Sequence, residues 1–181
     1  ANAGRDEIVN RRVGRNELDA IQTLLAIVDA QREYAATDAD GNGFADYARK
    51  FRSSPGKKDG LFWVTQPNEP PSPLGPLVAV AAREGYGYGK PPKKGEVPQA
   101  YHGYYYKILT AQGKDAPGGA YDYMVGDKLL GGFAVVAWPA SYRVSGVTTL
   151  LVNHDGIVYE KDLGPQTGSI ASAMTRFNPD T

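Results

Sequence analysis

The sequence predicts an α+β protein in which a long N-terminal helix packs on an antiparallel β-meander and a short helix follows the sheet. Two observations lead to this prediction. Apolar residues first recur at the three- and four-residue spacing of a helix, and after Val97 the spacing changes to the alternation of short strands. A length of 181 residues suits one domain with its own core, so residues 1–181 are expected to form a single domain.

The predicted N-terminal helix covers residues 5–37. Gly14 interrupts the apolar pattern, and Asn16 is a residue type that is favoured at helix N-termini, so the longer part of the helix is expected to begin there. The residues that are spaced as one buried helix face are Leu18, Ile21, Leu25 and Val28.

Residues 53–98 are rich in Pro and Gly and are expected to wrap the surface as coil. Each Pro lacks a backbone donor and restricts the residue before it, so long hydrogen-bonded ladders cannot pass through this segment. A short helix is predicted from Pro76 to Glu84, because Pro is tolerated in the first turn. Residues 87–95 are predicted to form an exposed loop.

The β-meander is predicted over residues 100–162. Its last two strands, residues 147–153 and 156–161, are expected to form a hairpin closed by the turn from Asn153 to Gly156, because Asp-Gly strongly favours tight turns. The earlier strands are predicted at residues 103–109, 120–125 and 132–138.

A C-terminal helix is predicted over residues 165–177. Ile170, Met174 and Phe177 recur there at the spacing of one helix face. This helix is expected to dock on the sheet.

The composition excludes several classes of protein. Twenty Lys and Arg residues balance 20 Asp and Glu residues, so the molecule as a whole has no field that would attract nucleic acid. The longest apolar run, 133–138, is far shorter than the ~20 residues of a membrane-spanning helix. The chain has no Cys, which excludes disulfides, thiolate metal sites and cysteine catalysis.

The segment after the first helix resembles a calcium-binding loop. Asp and Asn alternate at loop positions 1, 3, 5 and 9, with Gly at position 6, and these oxygen donors suit a hard cation. Position 12, where a Glu is expected, is Arg49, so one ligand is missing. The alternative is a helix end whose Asp and Asn side chains cap their own backbone. The predicted ligands of a structural calcium ion are Asp38, Asp40, Asn42, the Phe44 carbonyl group and Asp46.

A tyrosine-rich stretch is the second candidate site. Its rings could stack on a sugar or a base, but in a strand successive side chains alternate between faces, so at least one set is expected to be core. Packing in the core is the favoured interpretation. No nucleophile-elbow spacing is present, and no catalytic residue is predicted. The residues of the possible ligand platform are Tyr101, His102, Tyr104 and Tyr106.

Six long motifs are distinctive. They are Asn10–Glu17, Asp29–Tyr34, Pro73–Leu77, His102–Tyr106, Pro117–Tyr123 and Gly131–Pro139. Together they closely resemble the uncharacterised bacterial family known as domain of unknown function 2950. The resemblance implies a periplasmic or secreted location and implies that this chain is the C-terminal part of a longer exported precursor. It brings no catalytic residue.

A second resemblance concerns architecture. A helix containing Ala30–Tyr34, an Asp/Gly-rich loop and strands ending in Ser145–Val158 are similar to the soluble domains of type IV pilin-like and pseudopilin proteins. That resemblance implies a helix packed on a meander and a calcium-binding loop. The polar residues Arg11, Arg12 and Arg15 depart from the apolar, membrane-embedded half of a pilin helix.

Two functional hypotheses follow. The first is a non-enzymatic extracytoplasmic binding or structural module, stabilised by calcium, with an unknown protein or cell-envelope partner. The second is a hydrolase acting on cell-wall or other glycans. The second would require Asp or Glu side chains within about 5–10 Å of one another in a cleft lined by Tyr.

Overall fold

A computed structural model describes residues 2–87 and 99–180 and confirms the α+β class. Its helices are α1 (Asn2–Ala36), α2 (Gly75–Arg83) and α3 (Thr167–Ala173), and a 3₁₀ turn, Gly164–Gln166, precedes α3. The strands are β1 (Tyr104–Leu109), β2 (Ala111–Gln112), β3 (Tyr121–Asp122), β4 (Met124–Val125), β5 (Lys128–Leu129), β6 (Ala134–Pro139), β7 (Thr148–Asn153), β8 (Val158–Asp162) and β9 (Arg176–Phe177).

The main sheet is antiparallel and four-stranded, in the order β1-β6-β7-β8. The predicted β7–β8 hairpin is present, and the Gly156 N–H donates to the Asn153 carbonyl at 2.9 Å across its turn. Strands β2 to β5 leave this sheet between β1 and β6 and form two small sheets, one of which includes β9. The predicted strand 120–125 is divided into β3 and β4 at Tyr123, whose fully buried side chain donates to Gln112 Oε1 at 2.8 Å.

Both faces of β6 are covered, since Val135 and Val136 point to opposite faces and both are fully buried. On one face α3 contacts β6, and Lys107 Nζ of β1 donates to the carbonyls of Ser172 and Met174. On the other face α1 contacts β6 and β7. The sheet is therefore the middle layer of the structure, between the N-terminal and C-terminal helices.

The predicted break at Gly14 is wrong, because α1 is continuous from Asn2 to Ala36. A Gly inside a helix costs only about 1 kcal/mol relative to Ala, so contacts to the sheet side of the molecule can offset it. Asn16 does not cap the helix. Its Nδ2 group donates to the Ser145 carbonyl at 2.8 Å and ties α1 to the loop before β7.

The predicted buried face of α1 is wrong in two of its four positions. Leu18 is 64% exposed and Leu25 is 41% exposed. The buried stripe of α1 is rotated from the predicted one and includes the polar residues Thr23 and Gln31. These side chains can be buried because each forms a hydrogen bond to a backbone carbonyl. The buried residues of α1 are Ala20, Thr23, Leu24, Ile27, Val28, Ala30, Gln31 and Tyr34.

The C-terminal helix is shorter than the predicted 165–177, since α3 ends at Ala173. Ile170 is 41% exposed, and Phe177 is fully buried as part of β9. Strand β9 pairs in parallel with β2, with Gln112 opposite Phe177, so sheet pairing rather than helical spacing explains this apolar residue.

The Pro/Gly-rich segment contains the predicted short helix as α2, with Pro76 in its first turn. The loop predicted over 87–95 lies, except for Gly87, outside the described residues. Within the part of the chain that the structure describes, every helix is too short or too polar to span a membrane.

Candidate functional site

The first candidate site, which we call the acidic loop, runs from Asp38 to Asp46 and follows α1. Three of its residues have positive φ angles: Asp38 at 44°, Gly41 at 70° and Gly43 at 81°. Glycine adopts this region without the steric cost that a side chain brings. The glycines therefore let the chain curl tightly around Asn42.

Three carboxylates of the acidic loop converge on Asn42. The Asn42 Nδ2 group donates to Asp40 Oδ2 at 2.8 Å and to Asp46 Oδ1 at 2.9 Å. The Asp38 carboxylate accepts from the backbone N–H groups of Asn42 at 2.9 Å and Gly43 at 3.0 Å. Each carboxylate oxygen has two lone pairs, so these groups keep further acceptor capacity.

The C-terminal end of the acidic loop is anchored to the core. Gln31 Nε2 on α1 donates to the Ala48 carbonyl and Gln31 Oε1 accepts from the Ala48 N–H, both at 2.8 Å. The Tyr47 N–H donates to the Leu129 carbonyl on β5 at 2.9 Å. Asp46 itself is buried. The loop conformation is thus held by α1 and β5.

The donor set of the acidic loop is all oxygen, as hard cations prefer. The negative charge of the loop also affects Tyr34. Burial raises the pKa of the Tyr34 hydroxyl, and the charges of Asp40 and Asp46 raise this pKa further. Nowhere in the described residues do three His, Asp or Glu side chains meet as a metal centre. The Asn42 amide oxygen accepts from the Phe44 N–H at 2.9 Å, and the Asn42 Nδ2 group faces the carboxylates. A cation in the loop would therefore need these side chains to rearrange, with the Asn42 amide oxygen and the Phe44 carbonyl among its ligands, because Arg49 offers none.

The second candidate site, which we call the histidine cleft, is a cavity of about 600 Å³ between α1 and the end of α2. His102 Nδ1 lies 3.4 Å from Asp19 Oδ2, and His102 Nε2 lies 3.2 Å from Glu84 Oε2. His102 has a φ angle of 47°, which is uncommon for a residue with a side chain and is enriched at functional sites.

The histidine cleft places one imidazole ring between two carboxylates. A neutral imidazole has a single N–H donor, whereas the imidazolium form has two and can donate to Asp19 and Glu84 at once. Tyr101 and Tyr86 surround the same ring, with centroids 4.1 Å and 5.6 Å from that of His102. Chemically, the cleft offers a positioned proton donor or acceptor beside aromatic groups.

The four residues of the predicted platform do not form one surface. Only Tyr101 and His102 line the histidine cleft, and Tyr101 is buried. Tyr104 is fully buried, its hydroxyl donates to the Thr148 carbonyl at 2.9 Å, and burial raises its pKa, with the charge of Glu17 adding to the effect. Tyr104 is thus a core residue and cannot present its ring to a ligand, whereas Tyr106 is half-buried.

Sequence reasoning missed Asp19 and Glu84. Asp19 lies within the long helix and Glu84 follows the last residue of α2, and neither belongs to a motif. Only the packing of the two helices beside His102 brings them together. No local spacing in the sequence could have indicated this.

The fold and its sites define an α+β protein with helices on both faces of a central antiparallel sheet. The chain belongs to the family described as protein of unknown function (DUF2950), which matches residues 1–181. Neither the search of curated proteins nor the search of solved structures found a match.

Proposed function

We propose that this protein is a non-enzymatic binding or structural module of the cell envelope, stabilised by a calcium ion in the acidic loop. The observation that carries the proposal is the convergence of the carboxylates of Asp38, Asp40 and Asp46 on Asn42. Calcium takes six to eight oxygen ligands from such carboxylate and amide side chains and from backbone carbonyls.

Electrostatics supports a cation at this position. The acidic loop follows the C-terminus of α1, where the helix macrodipole is negative, so its three carboxylates add to an existing negative potential. A bound cation would relieve that repulsion. The role would be structural, because the Gln31–Ala48 hydrogen bonds join the loop to the buried side of α1.

The proposed location is periplasmic or secreted, as the family resemblance implies. Calcium sites of extracellular modules typically have dissociation constants of about 10⁻⁴ to 10⁻³ M, which a loop lacking one ligand would suit. The order of a long helix followed by an antiparallel sheet also supports the pilin-like architecture as a proposal. The partner would be a protein or another component of the envelope.

Calorimetric titration of the chelator-treated protein with calcium tests the proposal. We expect binding in the range of about 10⁻⁴ to 10⁻³ M and a higher melting temperature in millimolar calcium. Asp40→Asn should weaken both effects. The matched control is Asp29→Asn, which removes an exposed carboxylate from α1 and should change neither. Absence of heat and of a melting shift at millimolar calcium would reject the ion.

The competing proposal is a hydrolase acting on glycans, which one observation favours. Asp19 and Glu84 lie at opposite nitrogens of the His102 ring, at 3.4 Å and 3.2 Å, in a cleft lined by Tyr101, and glycosidases likewise place two carboxyl groups about 5–10 Å apart. The ring fills the space between them, however. The glycosidic bond that is cleaved would therefore have to approach His102 from the cleft.

Release of reducing sugars from peptidoglycan and from a panel of soluble glycans tests the hydrolase. If this activity exists, His102→Asn should reduce kcat by about 10²-fold or more, while Gln166→Asn, at an exposed position outside the cleft, should leave it unchanged. Wild-type protein that releases no sugar from any of these glycans would reject the hydrolase.

A further inference from the structure

A second cavity, which we call the basic groove, lies in the segment after the acidic loop. It encloses about 610 Å³ and its lining includes the cationic residues Lys50, Arg52, Lys57 and Lys58 and the aromatic residues Phe62 and Trp63. None of its lining residues belongs to the acidic loop or to the histidine cleft. Two of them, Lys58 and Trp63, also line a smaller cavity that borders Asp38.

The basic groove has an excess of positive charge. Four cationic side chains line it, and Glu69 is the one carboxylate among the lining residues. Lys58 Nζ is bound to Glu69 at 2.5 Å, and Lys50 Nζ to Asp59 at 2.8 Å. The exposed Lys57 side chain has no hydrogen bond or ion pair among the residues that the structure describes. In a chain of zero net charge this local excess favours an anionic ligand.

The apolar part of the groove consists of two rings and an exposed aliphatic residue. The Arg52 guanidinium lies 5.6 Å from the centre of the Phe62 ring, and Lys58 Nζ lies 5.3 Å from that of Trp63. Val64 is 73% exposed. The Trp63 Nε1 atom is buried, and within the described residues it has no hydrogen-bond partner. Indole nitrogen is a donor only, so this position lacks an acceptor.

The walls of the basic groove are preorganised. The Ser53 N–H donates to the Phe62 carbonyl and the Phe62 N–H to the Phe51 carbonyl, both at 2.8 Å. The Asp59 carboxylate accepts from the Ser54 N–H at 2.7 Å. A ligand would therefore not have to order this backbone, which lowers the entropic cost of binding.

We propose that the basic groove binds an acidic oligosaccharide, a sugar chain that carries carboxylates. The carboxylates would meet Lys57 and its neighbours, and the apolar faces of the sugar rings would pack on the Phe62–Trp63–Val64 side, as sugars do on aromatic platforms. This inference rests on the proposed binding function and names its ligand class. It does not depend on calcium.

The available polar groups favour a glycan over an acidic peptide. A peptide brings one N–H donor per residue that needs an acceptor, whereas sugar hydroxyls can serve as acceptors alone. The carboxylates of Glu69, which lines the groove, and of Asp59, beside Lys50, are each neutralised by a lysine and accept a further hydrogen bond, Glu69 from the Gln66 N–H at 3.0 Å and Asp59 from Ser54. Among the charged lining groups, the one without a partner in the described residues, Lys57 Nζ, is a donor.

Titration of the whole protein with hexagalacturonate, in the presence of a chelator and at low ionic strength, tests this proposal. Neutral maltohexaose and the peptide hexaglutamate serve as comparison ligands. We expect the acidic sugar to bind, and Lys57→Glu to weaken binding by about tenfold or more, since a charged hydrogen bond is replaced by repulsion. Lys114→Glu, the same charge reversal at an exposed lysine outside the groove, should have little effect.

Trp63→Leu gives a second variant, which keeps an apolar side chain and removes the aromatic face on which a sugar would pack; it should weaken binding by about fivefold. No binding of hexagalacturonate would overturn the inference. Equal loss of affinity in Lys57→Glu and Lys114→Glu would also overturn it, because the effect would then be one of net charge. Tighter binding of hexaglutamate would assign the groove to acidic peptides instead. The chelator keeps these results separate from the fate of the calcium proposal.

Discussion

The acidic loop and the basic groove are neighbours in the chain and have opposite charge. In the acidic loop, the carboxylates of Asp38 and Asp40 are held by groups of the same short turn. In the basic groove, by contrast, Lys58 is held by Glu69, which lies farther along the chain. Zero net charge therefore hides two separated sites. The comparison shows that average charge describes a molecule poorly when unlike charges lie in different loops.

The two regions also differ in how they are anchored. The acidic loop is anchored by other elements, through Gln31 of α1 and Leu129 of β5, whereas the groove is held by its own backbone, from Ser53 to Phe62. Lys58 and Trp63 border both the groove and the cavity beside Asp38. Variants at positions other than these two can disturb one region at a time.

The largest effect is expected at Gln31. Gln31→Met would fill similar space but leave the buried N–H and carbonyl of Ala48 without partners, at a cost of about 3 kcal/mol in the free energy of unfolding. Urea unfolding measures this cost. Gln22→Met, at an exposed position of the same helix, should change the stability by less than about 0.5 kcal/mol. Similar values for the two variants would show that Gln31 is not the anchor.

The next effect is expected at Gly60. A Cβ atom there would lie 2.6 Å from the Arg52 carbonyl carbon and 2.7 Å from the Ser53 nitrogen, so Gly60→Ala should force the groove walls apart and cost about 2 kcal/mol. Thermal unfolding and hexagalacturonate titration should both report the change. Gly14→Ala, where nothing lies within 4 Å, should instead stabilise α1 by about 0.5–1 kcal/mol. An unaffected melting temperature in Gly60→Ala would contradict the close approach.

A smaller effect, dependent on pH, is expected at Asp59. Burial raises the pKa of its carboxyl, but hydrogen bonds from Lys50 and Ser54 outweigh burial and lower the pKa to about 2. The resulting stabilisation, about 1 kcal/mol after allowance for solvent screening, is present above the unfolded pKa of about 3.9 and is lost as the pH falls toward 2. Stability curves of the wild type and Asp59→Asn should differ near neutral pH and converge at acidic pH. A constant difference between them across this range would exclude the linkage.

The smallest effect is expected between the two regions. Asp40→Asn removes a negative charge from the acidic loop, and solvent screening at physiological salt should limit its influence on the groove. The affinity for hexagalacturonate, measured with a chelator present, should change by less than about twofold. A larger change would mean that the loop and the groove act as one site.

Local patterns predicted the elements whose signal is local. The prediction of the β7–β8 hairpin was based on a turn containing Asp155-Gly156, and the prediction of α2 was based on Pro76 in its first turn. The prediction failed where a tertiary contact chose between local alternatives. The stripe through Leu18 and Leu25 was as helical as the true one, and Phe177 suited a helix until β9 paired with β2.

The candidate sites divide in the same way. The acidic loop was visible in the sequence because its donors lie within nine consecutive residues, Asp38–Asp46, although calcium binding there remains a prediction. Only part of the histidine cleft was predicted from the sequence, namely His102 and Tyr101. Its two carboxylates were missed because they come from α1 and from the end of α2. The basic groove was not visible, because its aromatic and cationic residues occur at irregular spacing in a coil.

The sequence by itself determined the α+β class, the order of helix and strands, the absence of cysteine chemistry and the position of the acidic loop, because each depends on composition or on neighbours in the chain. Only the tertiary structure decided which face of α1 is buried, where Asp19 and Glu84 meet His102, and how residues 50–64 enclose a groove. These features depend on the packing of distant segments. Packing is set by the shapes and hydrogen bonds of all the elements together, and no local pattern contains that information.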